Sequence, residues 1–401
     1  MTGPLDGKKI VLGVSGSISC YKSIDLASRL VKSGAIVDVV MSDAALEFIK
    51  PLVFQSITHR NVISSLFDYP LGNPLEHIAL AREADIIVIA PATANSIAKL
   101  AYGFADNAIS VICTATTAPI LVAPAMDGNM YNNQAVQKNI TTLKEYGIYT
   151  AGPTSGRLAS GLIGVGRLIE PEIILEHIKI VLGQTRDLKN IQIVVSAGGT
   201  QEPIDPVRVI TNRSSGKMGY AIAEAARDRG GIVTLITASS LTEPTGVKCI
   251  HVMSVAEMRK AVLESCKGAN ALIMAAAVSD YRSATITDQK IKKKKGQEKN
   301  LTLDLIKNDD FFLEVPNGVM RIGFAAETEN LLSNAKIKLN SKGLAFIVAN
   351  DVTQPDSGFN VDTNQVTIID NIGKIDVLPL LSKYEVGNSI LDKMLSMSNL
   401  I

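Results

Sequence analysis

The 401 residues suffice for two domains of ordinary size, and the 46% hydrophobic and 20% charged residues exclude a chain that is disordered throughout. The 40 Lys and Arg residues balance 39 Asp and Glu residues, which argues against a dedicated nucleic-acid-binding protein. The four cysteines form no C-x-x-C pair, and the longest apolar runs fall short of the ~20 residues of a membrane helix, so we predict no zinc knuckle, disulfide scaffold or membrane span.

The predicted elements of the first half alternate between short aliphatic strands and helices. Strands are predicted at residues 10–14, 36–41, 86–90 and 120–123, and the first helix continues to about Lys32. Because these strands are continuously hydrophobic rather than alternating, they indicate a parallel sheet that is covered on both faces. The half ends with a helix at 172–182, followed by a polar linker at 184–190.

The same pattern restarts in the second half. Strands are predicted at residues 191–197, 232–237, 271–277, 322–325 and 345–349, and a helix at 218–229. Residues 365–370 and 374–377 flank Asn371-Ile372-Gly373 and predict a late hairpin. The sequence therefore predicts two α/β domains, each of which opens with a strand and a small-residue turn.

Two turns in the first half are typical of phosphate sites. Gly13-Val14-Ser15-Gly16-Ser17 connects a strand to a helix, where backbone N–H groups and the helix dipole attract phosphate. The turn lacks the third glycine of the dinucleotide motif, so the alternatives are a single phosphate monoester held by serines and a plain tight turn. In Pro91-Ala92-Thr93-Ala94-Asn95, Thr93 or Asn95 has a helix cap as its alternative role.

Two further features have a structural explanation beside a functional one. His77 stands alone near an apolar segment, where a structural histidine is more common than a catalytic one. Five of the six residues from 290 to 295 are lysines, and a run of like charges is usually a solvated surface loop.

The motifs of both halves together resemble known enzyme families. In the first half, residues 13–18, His77, residues 84–95 and Pro124-Ala125-Met126 resemble the FMN-binding homo-oligomeric cysteine decarboxylases. In the second half, residues 205–219 (DPVRVITNRSSGKMG), 275–281 (AAAVSDY), 290–293 (KIKK) and 323–328 (GFAAET) resemble the phosphopantothenate–cysteine ligases. Their order and spacing resemble the bifunctional enzymes of coenzyme A synthesis over nearly the whole chain.

This resemblance implies an α/β fold of two Rossmann-like or flavodoxin-like three-layer domains with mainly parallel sheets. Residues 1–185 are expected to form an FMN-binding phosphopantothenoylcysteine decarboxylase domain, and residues 186–401 a CTP-dependent phosphopantothenate–cysteine ligase domain. In the ligase reaction, the carboxylate of 4′-phosphopantothenate attacks the α-phosphorus of CTP to give an acyl-cytidylate and pyrophosphate. The amine of L-cysteine then displaces CMP.

The resemblance also implies ligase site residues. Lys290 matches the critical lysine of a clamp over the nucleotide, Asn212 matches the residue that holds the acyl-cytidylate carbonyl, and Arg208 precedes Asn212. A capping asparagine and a surface arginine are the structural alternatives for Asn212 and Arg208. Asp280 matches a position associated with Mg²⁺, as a hard carboxylate should. The other expected contacts of CTP are Gly198, Gly199, Asp280, Asp309, Asp310, Phe311, Phe312, Phe324, Lys338 and Lys342.

One ligase motif departs from the family pattern. Lys307-Asn308-Asp309-Asp310 stands where the family has Lys-Asn-Pro-Asp, and the missing proline is expected to loosen this turn. The choice between CTP and ATP stays open, because base selectivity depends on backbone geometry.

For the decarboxylase, the resemblance implies that FMN takes a hydride from the carbon that bears sulfur, so that CO₂ can leave. The expected FMN-binding residues are Ser15, Gly16, Ser17, Ser42, Thr93, Ala94 and Asn95. His77 matches the essential histidine, which positions the substrate carboxylate or takes part in proton transfer.

Two residues of the decarboxylase half depart from the family. Asp127 replaces the usual asparagine; an ionised Asp127 would repel the substrate carboxylate, whereas a raised pKa would let it donate a proton. Ser160 replaces the cysteine that donates a proton to the reduced intermediate, and a hydroxyl is a much weaker acid than a thiol, whose free pKa is ~8.5.

Three functions therefore compete: a bifunctional enzyme, an active ligase with an impaired or relic FMN-binding domain, and a non-catalytic flavin-binding protein. The family is expected to form homo-oligomers, with trimeric decarboxylase and dimeric ligase contacts, and to act on small molecules without nucleic acid or membrane partners. Reduced cysteines and the lack of a signal-peptide pattern in Met1 to Lys9 predict a cytoplasmic protein.

Overall fold

The computed structural model describes residues 3–66, 76–184, 186–292, 301–327, 329–351, 358 and 360–397. The chain divides into two compact units, Met1–Gly183 and Gln184–Ile401. Among the described residues, no helix combines the length and the apolar character that crossing a bilayer requires.

The first unit is a three-layer α/β structure. Its strands are β1 (Lys9–Val14), β2 (Ile36–Met41), β3 (Val62–Ile63), β4 (Ile86–Ala92), β5 (Ile120–Pro124), β6 (Tyr149–Thr150), β7 (Thr154–Arg157) and β8 (Ile163–Arg167). Its helices are α1 (Cys20–Lys32), α2 (Asp43–Leu46), α3 (Pro51–Thr58), α4 (Glu76–Glu83), α5 (Ala94–Tyr102), α6 (Ala108–Ala115), α7 (Gly128–Asn132), α8 (Gln134–Glu145) and α9 (Pro171–Gly183).

The main sheet of this unit has the order β3-β2-β1-β4-β5-β6, and all its strands are parallel. One core, which includes Leu26 of α1 and Ile174 of α9, lies on one face of the sheet. A second core, which includes Ile97 of α5 and Ile140 of α8, lies on the other face. Strands β7 and β8 form a separate antiparallel hairpin.

The second unit repeats this architecture with additions. Its strands are β9 (Gln192–Ala197), β10 (Gln201–Pro203), β11 (Val209–Thr211), β12 (Ile232–Thr237), β13 (Lys248–His251), β14 (Ala271–Met274), β15 (Tyr281–Ser283), β16 (Leu305–Lys307), β17 (Met320–Glu327), β18 (Phe346–Asp351), β19 (Thr363–Asn364), β20 (Val366–Asp370), β21 (Ile375–Val377) and β22 (Leu381–Ser382). Its helices are α10 (Lys217–Asp228), α11 (Val255–Ser265), α12 (Leu331–Ser341) and α13 (Lys383–Met397), with a 3₁₀ turn at Phe312–Glu314.

The large sheet of the second unit has the order β13-β12-β9-β14-β17-β18-β20-β21. Its first six strands are parallel, and β20 and β21 are antiparallel additions. Helices α10 and α13 cover one face, and α11 and α12 cover the other. Strands β10 and β11, and strands β15 and β16, form two antiparallel hairpins outside this sheet.

The strand order locates a crevice in each unit. In each sheet, the strands that follow the first strand are added on one side of it and the later strands on the other side. The strand order therefore reverses between β1 and β4 in the first unit and between β9 and β14 in the second. Ligands of open α/β sheets bind outside the carboxyl ends of strands at such a point. The turns at Ser15 and at Gly198 both follow these first strands.

Most predicted elements are confirmed, and the differences have local causes. The strand predicted at 271–277 ends at Met274, because the chain leaves the sheet and the N–H of Ala277 donates to the carbonyl of Gly198. The strand predicted at 322–325 is longer, because β17 pairs with β18 as far as Glu327. Leu188 in the predicted linker is buried and its N–H donates to Arg229.

Candidate active sites

In the first unit, Ser15 joins the turns after β1 and β4. Its side chain is buried, and its Oγ donates to the carbonyl of Pro91 at 2.7 Å and accepts the N–H of Thr93 at 3.0 Å. Thr93 caps α5 by accepting the N–H of Ser96 at 3.3 Å, as its structural alternative predicts. Both side chains therefore shape the turns, and their contact with FMN stays a prediction.

The turns around Gly16 and Ser42 approach each other closely and contain an unpartnered hydroxyl. A Cβ on Gly16 would lie 2.5 Å from the Cβ of Ala44, so the close approach of these turns requires glycine. The Oγ of Ser42 is buried and has no hydrogen-bond partner among the described residues, although buried hydroxyls are normally bonded. An unpaired hydroxyl beside small-residue turns fits an acceptor such as the phosphate of FMN.

The other predicted FMN-binding residues surround these turns. The Oγ of Ser17 accepts the N–H of Ser19 at 3.2 Å, and Ala94 and Asn95 are the first two residues of α5. His77 is half-buried in the first turn of α4, and its catalytic role stays a prediction.

The structure brings Asp127 and Ser160 together. Asp127 caps α7 by accepting the N–H of Asn129 at 3.0 Å. Ser160, in the loop between β7 and β8, donates its hydroxyl to Oδ2 of Asp127 at 2.6 Å. The bond from Ser160, followed by that from Asn129, lowers the pKa of Asp127. Because its carboxylate accepts both bonds, the structure favours the ionised alternative for Asp127, and its role in the reaction stays a prediction.

In the second unit, a cleft of about 670 Å³ lies at the carboxyl ends of β14 and β17. Most of the predicted ligase residues line it: Asn212, Asp280, Asp309, Asp310, Phe311, Phe312, Phe324, Lys338 and Lys342. The polar lining residues that sequence reasoning missed include Lys217, Lys307, Asn364 and Lys383. Lys217 and Lys307 stand inside quoted motifs that could have indicated them, whereas Asn364 and Lys383 come from a region without any motif.

Two cleft lysines form ion pairs. Lys338 Nζ lies 2.7 Å from Glu327, and Lys342 Nζ lies 3.0 Å from Asp310. Burial alone would raise the pKa of Glu327. Its hydrogen bonds, chiefly the one from Lys338, lower this pKa instead. Lys342 also lies 5.4 Å from the centre of the Phe312 ring, a cation–π distance. Carboxylates and a ring thus hold both ammonium groups in place.

A second basic region of the cleft lies at the start of α10. Lys217 pairs with Asp362 at 2.7 Å, and Gly216 before it is the N-cap residue in a left-handed conformation. Lys383 is buried and donates to backbone carbonyls that include Gly358 at 3.3 Å, and burial lowers its pKa. Two ammonium groups beside a helix N-terminus favour an anion there.

Asn212 and Asp280 face the cleft from neighbouring loops. Asn212 Nδ2 donates to the carbonyl of Val278 at 3.2 Å, and Asp280 is exposed two residues further on. The described residues contain no group of three His, Cys, Asp or Glu side chains that could hold a metal ion. Asp280 therefore offers one carboxylate, which fits Mg²⁺ because this ion usually takes its other ligands from phosphate and water.

The turn at 307–312 is held without proline. Asn308 is buried, and its Nδ2 donates to the carbonyl of Ser279 at 2.8 Å. Asp310 Oδ1 accepts the N–H of Phe312 at 3.1 Å. These two side chains anchor the turn that the missing proline was expected to loosen.

The remaining predicted ligase residues lie outside the cleft lining. Gly198 and Gly199 follow β9, where a Cβ on Gly199 would lie 2.6 Å from the carbonyl oxygen of Asn212. Arg208 binds Asp205, and Lys290 is exposed. Lys293–Lys295 and Thr328, which complete two of the quoted motifs, lie outside the described residues.

Comparisons with known proteins cover both units. The family model "Flavoprotein" matches residues 2–183, and "DNA/pantothenate metabolism flavoprotein C-terminal domain" matches residues 188–397. The chain is 44% identical over 397 residues to the Coenzyme A biosynthesis bifunctional protein CoaBC of Escherichia coli strain K12, covering 98% of each chain. It is 41% identical over 401 residues to the protein of the same name from Bacillus subtilis strain 168, again covering 98% of each chain.

A solved structure, the C-terminal domain of Coenzyme A biosynthesis bifunctional protein CoaBC, matches 52% of this chain and 96% of its own, with 36% identity and a TM-score of 0.45. The two family models span nearly the whole chain, and the relatives align with it over 98% of their own length. The chain therefore belongs to the family of the coenzyme A biosynthesis bifunctional proteins named CoaBC.

Proposed function

We propose that the two units of this bifunctional coenzyme A enzyme each carry one reaction. Residues 186–401 ligate 4′-phosphopantothenate to L-cysteine with CTP, and residues 1–185 decarboxylate the product to 4′-phosphopantetheine with FMN. The basic cleft of the second unit is the observation that carries the proposal. Full-length relatives that are named bifunctional favour two working reactions over a ligase with a relic flavin domain.

In the ligase reaction, the cleft solves a problem of charge. A carboxylate is a poor electrophile until its oxygen is converted into a phosphoryl leaving group, and that step concentrates negative charge on phosphoryl oxygens. Lys338 and Lys342 supply ammonium groups on one side of the cleft, and Lys217 at the start of α10 supplies another. Asp280 would hold Mg²⁺, which would neutralise further phosphate charge, and the amide of Asn212 holds the activated carbonyl.

In the decarboxylase reaction, bound FMN supplies a reversible hydride acceptor, which makes loss of CO₂ from the substrate possible. Gly16 and Ser42 form the cradle for its phosphate, supported by the unpaired Oγ of Ser42. His77 orients the substrate carboxylate. The hydroxyl of Ser160 already donates a hydrogen bond to Asp127, so this pair orders the loop between β7 and β8 at the site.

The proposal includes a homo-oligomer in the cytoplasm. Apolar side chains are exposed on the two hairpins of the second unit: Val207, Val209, Tyr281, Leu305 and Ile306. Others are exposed on the first unit: Ile18, Tyr21, Tyr102 and Phe104. Such surfaces support dimeric ligase and trimeric decarboxylase contacts. The four free cysteines fit a reducing compartment.

A product assay on the full chain tests the two reactions. With 4′-phosphopantothenate, L-cysteine, Mg²⁺ and CTP, we expect pyrophosphate and CMP, followed by CO₂ when FMN is bound. Lys290→Gln should abolish pyrophosphate release but leave decarboxylation of supplied 4′-phosphopantothenoylcysteine intact. His77→Asn should do the reverse and serves as the matched control. A parallel reaction with ATP in place of CTP shows which nucleotide the enzyme uses.

Each arm of the assay has an outcome that contradicts the proposal. Normal ligation by Lys290→Gln would remove the role of this lysine. Bound flavin without CO₂ would favour the relic domain, and no nucleotide turnover at all would favour a non-catalytic flavin-binding protein.

A further inference from the structure

Asp205 is a buried carboxylate that the proposed reactions do not use. It lies between β10 and β11, and its side chain is 0% exposed. Oδ1 accepts the N–H of Val207 at 2.8 Å and of Arg208 at 2.9 Å. Oδ2 accepts Nη1 of Arg208 at 2.6 Å and the N–H of Ile291 at 3.1 Å. Four donors therefore converge on one side chain.

The two oxygens have different tasks. The bonds at Oδ1 close a local turn, as an aspartate commonly does. At Oδ2, the bond from Arg208 Nη1 is local, whereas the bond from the N–H of Ile291 joins this turn to a segment 86 residues further along the chain. Arg208 Nη1 also donates to the carbonyl of Ile291 at 3.2 Å, and the N–H of Thr287 donates to Ile204 at 3.2 Å. A turn alone needs none of these long-range bonds.

The charge of Asp205 is retained despite its burial. Burial alone would raise its pKa, but the hydrogen bonds from Val207, Ile291 and Arg208 lower it to about 2. A buried carboxylate is tolerated when it is paired with a cation and fully hydrogen-bonded, as Asp205 is. The carboxylate is therefore a permanent acceptor at neutral pH.

We propose that Asp205 is a positioning residue of the ligase reaction, which holds the guanidinium of Arg208 and the backbone beside Lys290 at one point. Lys290 directly precedes Ile291, so its Cα position is fixed by the bond between Ile291 and Asp205. The guanidinium of Arg208 and the backbone beside Lys290 thus belong to one hydrogen-bonded cluster, from which the exposed side chain of Lys290 extends. This inference rests on the proposed ligase function.

The central experiment compares Asp205→Asn with Asp370→Asn in the full chain. Asp370 is a matched control, because it is also buried, accepts the N–H groups of Ile372 and Lys374, and pairs with a lysine, Lys393. The assay is steady-state pyrophosphate release from CTP, 4′-phosphopantothenate and L-cysteine, with thermal unfolding measured in parallel. Asp205→Asn should lower kcat by about tenfold or more and change the KM for CTP far less.

A second variant separates positioning from folding. Ile291→Pro removes the N–H that Oδ2 accepts and leaves the Asp205 turn unchanged. We expect it to lower kcat as Asp205→Asn does. Hydrogen exchange of the peptide that contains Ile291 should accelerate in Asp205→Asn and stay normal in Asp370→Asn.

The outcomes are distinguishable. A kcat of Asp205→Asn equal to that of Asp370→Asn overturns the inference, because loss of stability alone then accounts for the effect. A normal kcat of Ile291→Pro overturns it as well. A wild-type chain that releases no pyrophosphate contradicts the proposed ligase function instead.

Discussion

Asp127 shows how one substituted residue changes the charge of a site. Its carboxylate accepts the hydroxyl of Ser160 and the N–H of Asn129, and these bonds lower its pKa. A carboxyl group whose pKa is lowered by folding stays ionised at a lower pH than a free carboxyl group does. The stability that its hydrogen bonds contribute is lost as the pH falls through this lowered pKa. Asp127 thus carries a negative charge at neutral pH where the family pattern has a neutral amide.

We expect Asp127→Asn to lower the KM of decarboxylation. One unit charge at about 4 Å in water changes binding of a carboxylate by about fivefold, so removing it should lower the KM for 4′-phosphopantothenoylcysteine by that factor. The effect should be constant from about pH 5 to pH 8, because Asp127 is ionised throughout this range. The measurement is steady-state CO₂ release against substrate concentration at several pH values.

The control for this charge is Asp25→Asn. Asp25 is an exposed aspartate on α1 that pairs with Arg29, and its replacement should leave the KM unchanged. A difference between Asp127→Asn and wild type that is present at about pH 8 and disappears as the pH falls towards about 5 would mean that the pKa of Asp127 is raised rather than lowered.

Helices α10 and α13 illustrate packing at the scale of elements. A Cβ on Gly387 of α13 would lie 3.2 Å from the Cα of Ile222, so glycine permits the close crossing of the two helices. Asp228 at the end of α10 is fully buried and accepts the hydroxyl of Tyr384 at 2.9 Å. Burial and the adjacent carboxylate raise the pKa of Tyr384, so its hydroxyl remains a donor in alkaline solution.

Tyr384→Phe should lower the free energy of unfolding of the second unit by about 2 kcal/mol, the usual value for a hydrogen bond to a buried charged group. Denaturant unfolding of the full chain, followed by a probe in the second unit, measures it. Tyr281→Phe is the control, because Tyr281 is exposed and its replacement should leave stability nearly unchanged. Equal stability of both variants would contradict a role of this bond in docking α13.

The sequence predicted most of the parallel strands, because each of these is a continuous aliphatic run. It missed β3, β6 and β13, which are two to four residues long and lack such a run. The sequence also predicted most of the ligase residues that line the cleft, because Asn212, Asp280 and Phe324 lie in motifs at strand ends. It missed Lys383, because this side chain reaches the cleft from the start of α13 through tertiary packing that no local pattern records. The hydrogen bond between Asp127 and Ser160 was not predicted for the same reason, because 33 residues separate them in the sequence.

At the scale of the whole molecule, the cations expected to act in ligation are divided between two places. Lys338 and Lys342 line the cleft, whereas Arg208 and Lys290 lie outside its lining and are tied to Asp205. The hairpin of β10 and β11, which carries Arg208, also exposes Val207 and Val209. A ligase dimer accounts for both facts if the Arg208–Lys290 cluster of one copy completes the cleft of the other.

Mixing two inactive variants tests this arrangement. Arg208→Gln damages the cluster and Asn212→Ala damages the cleft, so a mixed dimer contains one site made of intact parts. After equal amounts are mixed and allowed to exchange subunits, we expect ligation at about a quarter of the wild-type rate. A mixture of Lys342→Ala with Asn212→Ala, both in the cleft, is the control and should stay inactive. Failure of the first mixture, with exchange verified, would mean that each copy builds its site alone.

The ion pairs of the cleft have a consequence for selectivity among anions. Lys338, Lys342 and Lys217 each carry an internal counter-ion, namely Glu327, Asp310 and Asp362. A simple anion such as chloride must displace a carboxylate of the protein to reach each ammonium group. A triphosphate carries several negative charges and could replace several of these carboxylates at once. If the proposed nucleotide binds here, it would displace the Asp310 carboxylate from Lys342 and leave it free to face the accompanying divalent cation.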